Sequence, residues 1–155
     1  MNLIFPKQAD NTISFSKIIV YVFYAITLMT LVRSLIHVFA LDGGANSIAT
    51  IITFSGNPDP DNVIYFVFSL WGLSQLLMGL FYTVVALRYR NLIPLMFILI
   101  WIEYAMRIVI GRVLKPLSDA YFIGTAPGEI GNYFFVVLVP ILFVFLFLST
   151  KKRAQ

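Results

Sequence analysis

Four long apolar runs leave this 155-residue chain little choice of fold. A helix needs about 20 residues to cross roughly 30 Å of hydrocarbon. Runs of that order lie at about 18–41, 63–87, 92–110 and 133–148. Lipid offers the backbone no hydrogen-bond partners, so such runs are helices, which satisfy their own N–H and C=O groups. Composition agrees: 60% of residues are hydrophobic and 12% charged, and mean hydropathy is +0.91. Soluble domains are nearer about 45–50% apolar. The expected architecture is an all-α membrane protein, an up-and-down four-transmembrane-helix bundle with a short outer-loop helix, forming one integral membrane domain over 1–155. The first run exceeds the core of a cleavable signal peptide, about 7–15 residues, and reads as a retained span.

Charge placement sets the expected orientation. Four spans leave both termini on one side, where Lys7, Lys17, Arg88, Arg90, Lys151, Lys152 and Arg153 gather against Asp10. The other side collects Asp42, Asp59, Asp61, Asp119 and Glu129, with Arg112 and Lys115. The positive-inside rule then makes both termini cytoplasmic. The net charge of +4 needs no nucleic-acid partner, because the basic residues sit at span ends and termini.

The links carry their own signals. "RYRN", Arg88 to Asn91, is short enough to make the second and third spans antiparallel neighbours. Pro94 falls in the first turn of the third span, where its missing N–H costs little. In the first outer link, Ile48, Ile51 and Ile52 share one helical face, and the spacing predicts a cap helix over about 46–54 with Ser47 as its N-cap. Asp59 and Pro60 read as the cap and first residue of the second span. "KPLSDAYFIGTAPGEIGN" reads as a loop that ends in Gly and Pro punctuation.

Polar side chains inside the spans are costly, so they mark the candidate site. Arg33 and His37 are four residues apart and share a helix face, as do Glu103 and Arg107 in "WIEYAMRIVIG". Gln75 lies near the middle of the second span, at a depth that lets these five residues meet. The expected arrangement sets Glu103 between Arg107 and Arg33, with Gln75 and His37 completing the hydrogen bonds. Two arginines against one carboxylate leave a positive surplus, which solvent or the anionic group of a ligand could answer. A purely structural ion-pair network and a proton or ion path are the competing readings. Ser69, Gly72 and Gly79 form a small-residue stripe that suits close helix packing within the bundle or a dimer contact. Tyr21, Tyr24, Tyr82 and Tyr89 lie near span borders and are expected to anchor at the interface.

Several chemistries are disfavoured. Cysteine is absent and histidine occurs once, which removes disulfides, thiol catalysis and Cys/His zinc sites; no metal or cofactor is expected. "DGGAN" lacks the lysine and hydroxyl residue of a phosphate loop. "NPDPDN" lacks the glycine and the closing glutamate of a calcium loop. Acid–base work by Glu103 with His37 is the one enzymatic route the residues leave open.

"RSLIHVFALDGGANSIATI", "WGLSQLLMGLFYTVVALRYRNLIPLMFILIWIEYAMRI" and "TAPGEIGNY" resemble small uncharacterised four-helix membrane proteins of bacteria. These stretches cover under half the chain. The resemblance implies a bacterial inner-membrane protein and supplies no activity. The sterol-isomerase and sigma-2-receptor type shares the four-helix architecture by analogy only. The leading expectation is binding of a lipid or amphiphilic small molecule, its head at Arg33, His37, Gln75, Glu103 and Arg107. The alternatives are an accessory subunit of a larger membrane complex, or a homodimer, and a lipid-modifying enzyme using Glu103 and His37.

Overall fold

The computed structural model describes residues 3–153, with side chains through Thr150. Its long elements are α1 (Lys17–Phe39), α2 (Asp61–Arg88), α3 (Ile93–Val109) and α4 (Pro127–Arg153). A 3-10 turn, Arg90–Leu92, joins α2 to α3, and a π turn, Ile110–Leu114, prolongs α3. Four helices are long and apolar enough to cross a membrane, and the chain is a multi-pass membrane protein. Of the residues assigned to the basic side, the side chains of Lys151, Lys152 and Arg153 lie outside the described residues. So do residues 1, 2, 154 and 155 of the single domain expected over 1–155.

The helices associate as two close pairs, α1 with α2 and α3 with α4. On α1 the buried residues Val20, Phe23, Thr27, Thr30, Ser34 and His37 recur at alternating intervals of three and four. Gly72, Gln75, Gly79, Tyr82 and Ala86 do the same on α2. The two stripes face each other, and small residues let the backbones approach. A Cβ on Gly72 would stand 2.6 Å from the Cβ of His37, and one on Gly79 would stand 2.9 Å from a Leu31 methyl. The hydroxyls between them are satisfied locally: Thr27 donates to the Phe23 carbonyl, Thr30 to Ile26 and Ser34 to Thr30. Large side chains fill the core within and between the pairs: Phe23 is edge-on to Tyr82 inside the first pair and to Phe97 across to the second, where Tyr104 stacks on Phe135 at 4.5 Å.

One contact between α3 and α4 follows from a proline. Pro140 lies inside α4 and has no N–H, so the Val136 carbonyl loses its helical donor. The Trp101 indole supplies one, Nε1 donating to that oxygen at 3.1 Å.

At the terminal end, Ser16 caps α1 and its N–H donates to the Ser149 hydroxyl of α4. Residues 8–11 strap the α2–α3 connection: Asn91 donates to the Gln8 carbonyl, the Asp10 N–H donates to Asn91, and Arg90 donates to Asn11.

The loop end departs from expectation. Successive turns over 41–49 stand where a helix over 46–54 was expected. Asp42, not Ser47, organises them, its carboxylate accepting the N–H groups of Gly44, Asn46 and Ser47 at 2.9, 3.1 and 2.7 Å. Gly43 and Gly44 have φ of 58° and 78°, and Thr50 has φ of 58°, values that interrupt a right-handed helix. Thr50 is held by its hydroxyl, which donates to the Gly124 carbonyl, and by an antiparallel bridge between Ile51 and Phe122. This latch joins the two helix pairs across the loop end.

Span bounds shift as well. The first helix stops at Phe39 and not 41, where the Asp42 turn begins. The third gives way to the π turn after Val109. The last begins at Pro127 and not 133, because Pro suits a first helical position and Glu129 favours the first turn electrostatically. Asp59 does cap the start of α2, accepting the Asp61 N–H at 2.9 Å, with Pro60 already in helical geometry. Tyr82 is a core residue, 2% exposed, and not an interfacial anchor.

Candidate functional site

The intramembrane polar residues lie on three helices, from Gln75 at the middle of α2 toward the loop end, where Arg33, His37 and Arg107 lie. Arg33 is six residues before the end of α1, about 9 Å at 1.5 Å per residue. The residue that joins the helices is Gln75. Its Oε1 accepts Arg33 Nη2 at 3.0 Å and Arg107 Nη2 at 3.1 Å. Arg33 Nη1 also approaches the Tyr104 hydroxyl at 3.4 Å. Glu103 pairs with Arg107 one helical turn away and makes no ion pair with Arg33. The expected bridge between the arginines is therefore a neutral amide, and the carboxylate sits to one side.

His37 also lies apart from the carboxylate. Its Nδ1 is 2.7 Å from the Gly43 carbonyl, which can only accept, so Nδ1 carries the proton of that bond. The ring packs 4.7 Å from Trp71. Gly72 allows this contact by letting α2 meet the His37 backbone, and Gly44, at φ 78°, would bring a Cβ within 2.6 Å of Nδ1. His37 and the Asp42 turn are thus one unit that ends α1.

Trp71 stands at the centre. The Arg107 guanidinium lies 5.0 Å from its ring centroid and 5.0 Å from that of Tyr104, while Arg33 lies 5.9 Å from Trp71. An aromatic face attracts a cation by its quadrupole, by about 0.5–2 kcal/mol according to desolvation. That attraction lessens the cost of the second arginine without cancelling its charge. Two guanidinium groups face one carboxylate.

Three buried polar atoms have no partner among the described residues: Arg33 Nε, the Tyr82 hydroxyl and Asn132 Oδ1. Asn132 begins the α4 stripe that continues as Phe135, Val139, Leu142 and Leu146, all buried. It lies three residues from Phe135, the residue stacked on Tyr104.

Sequence reasoning placed Arg33, Gln75, Glu103 and Arg107 at one level but missed Trp71, Tyr104 and Asn132. Trp71 carried a signal, being four residues before Gln75 and so on its face. Asn132 had none, since it fell in a presumed loop. Ser69 adjoins the turn, its hydroxyl 3.2 Å from where a Cβ on Gly43 would stand. No group of His, Asp and Glu suited to a metal ion occurs among the described residues. No protein-family model matches the chain, and neither a curated protein nor a solved structure matches it.

Proposed function

We propose that this is an inner-membrane protein, both termini cytoplasmic, that binds the anionic head of a lipid or related amphiphile between its two helix pairs. One observation carries the reading: Arg33 and Arg107 converge on the same neutral oxygen of Gln75. A scaffold that needed only to neutralise its charges would set a carboxylate there. Arg33 has no carboxylate partner among the described residues and keeps a buried Nε–H unanswered. Charge-assisted hydrogen bonds contribute about 1.5–3 kcal/mol each, enough to hold an anion against exchange with bulk lipid. Arg33, Gln75 and Arg107 would contact the head. Glu103 would orient Arg107, and His37 would position Trp71.

Native mass spectrometry of gently solubilised protein tests this. Arg33→Met strands no carboxylate, unlike a change at Arg107, and should lower occupancy by co-purifying anionic lipid at least about tenfold. Unchanged occupancy by the same lipid would refute the assignment.

A second reading, an accessory subunit, has one observation in its favour. Only 17% of the α2 span is buried, against 39% for α1. Leu70, Leu73, Leu77, Leu80, Val84 and Leu87 form an exposed ridge at alternating three- and four-residue intervals. A second protein chain at fixed stoichiometry in the same spectrum would favour this reading. Catalysis by Glu103 with His37 gains no support, since each bonds to a different group.

A further inference from the structure

The charges and orphan atoms of the cluster specify the head more narrowly. Two guanidinium groups and one carboxylate leave one formal positive charge, which a monoanion balances. A phosphomonoester carries about −1.5 to −2 near neutral pH and would overshoot, whereas a phosphodiester carries one negative charge. An amine-bearing phosphodiester is zwitterionic and would leave the surplus in place.

The remaining atoms are acceptors in want of donors. Glu103 uses Oε1 on Arg107, and its Oε2 has no hydrogen-bond partner among the described residues, while a quarter of the side chain, 25%, is exposed. Asn132 Oδ1 is buried without a donor. Asn132 lies three residues, about one helical turn, before Phe135, whose ring stacks on Tyr104, and Tyr104 is within reach of Arg33. A buried acceptor left unpaired is costly, so a ligand hydroxyl directed to it would gain selectively.

Resting on the anion-binding reading above, we infer that the preferred ligand is a phosphodiester whose alcohol carries free hydroxyls, a phosphatidylglycerol-type head. The phosphate lies on Arg33 and Arg107, and a head hydroxyl donates to Asn132 Oδ1.

The test uses full-length protein in phosphatidylcholine nanodiscs doped equally with phosphatidylglycerol and phosphatidylmethanol of matched acyl chains. The second lipid has the same charge and no hydroxyl. Native mass spectrometry should show phosphatidylglycerol retained about three- to tenfold over phosphatidylmethanol. In Asn132→Leu both lipids should bind and the preference should vanish. Equal retention of the two lipids by the unmutated protein, with both lost in Arg33→Met, overturns the inference and leaves the anion reading standing. Retention of neither overturns both. The unmutated comparison decides the matter even if Asn132→Leu does not accumulate. Displacement of the lipid by soluble glycerophosphoglycerol would support the same recognition and assign it to the free head.

Discussion

At the residue scale, Gln75 and Gly72 illustrate two kinds of constraint on one helix. Gln75 offers a single oxygen to two cations, so its neutrality sets the charge of the site. Gly72 sets its geometry, because a Cβ there would stand 2.6 Å from the His37 Cβ and 3.0 Å from the His37 backbone. Gly72→Ala should separate α1 from α2 and destabilise the protein by about 1–3 kcal/mol, read as a lower denaturation midpoint in detergent. An unchanged midpoint would mean that the two helices tolerate separation. The presence of Arg33, Gln75, Glu103 and Arg107 at a common level was legible in sequence, because span position gives depth. The Glu103–Arg107 pair was legible too, from its four-residue spacing, but the meeting of both arginines on Gln75 was not. Periodicity gives the face of each helix but not the rotation of one pair against the other, and that rotation puts Gln75 between the arginines.

Elements show the same division. The four spans follow from apolar length, yet the start of α4 was obscured by "APGEIGN", whose glycines and proline resemble a loop until Pro127 is set at the first helical position. The cap helix failed because three N–H groups found the Asp42 carboxylate and not backbone carbonyls. Burial pushes that carboxyl up, but the hydrogen bonds from Ser47, Gly44 and Asn46 outweigh it and hold the group below the usual carboxylate range. A depressed folded value adds stability that is present above the unfolded value, about 3.9, and is lost as pH falls through the folded one. Hydrogen exchange of the Gly44, Asn46 and Ser47 amides should therefore be slow near neutrality, after correction for intrinsic rates, and lose protection below about pH 4. Protection that persists in Asp42→Ala would contradict this. In the other pair, Trp101→Phe should leave the Val136 carbonyl opposite Pro140 without a donor and cost about 1–3 kcal/mol. Thermal unfolding should show the loss, and Trp101→Phe combined with Pro140→Ala should recover most of it, since α4 then supplies its own donor.

For the whole molecule, two tight pairs joined by large side chains and a loop-end latch form a bundle whose charged cluster lies between the pairs. Orientation is a property of the entire chain: a reporter fused after Gln155 should be active only in the cytoplasm, and activity only outside would reverse the assignment. The cluster's positive surplus is the centre of the account, and Gln75→Glu removes it by changing one amide oxygen into a carboxylate of nearly the same shape. Native mass spectrometry should find anionic lipid on the unmutated protein and little or none on Gln75→Glu, with the variant eluting as a folded membrane protein. The same lipid at the same occupancy on both proteins would contradict the account.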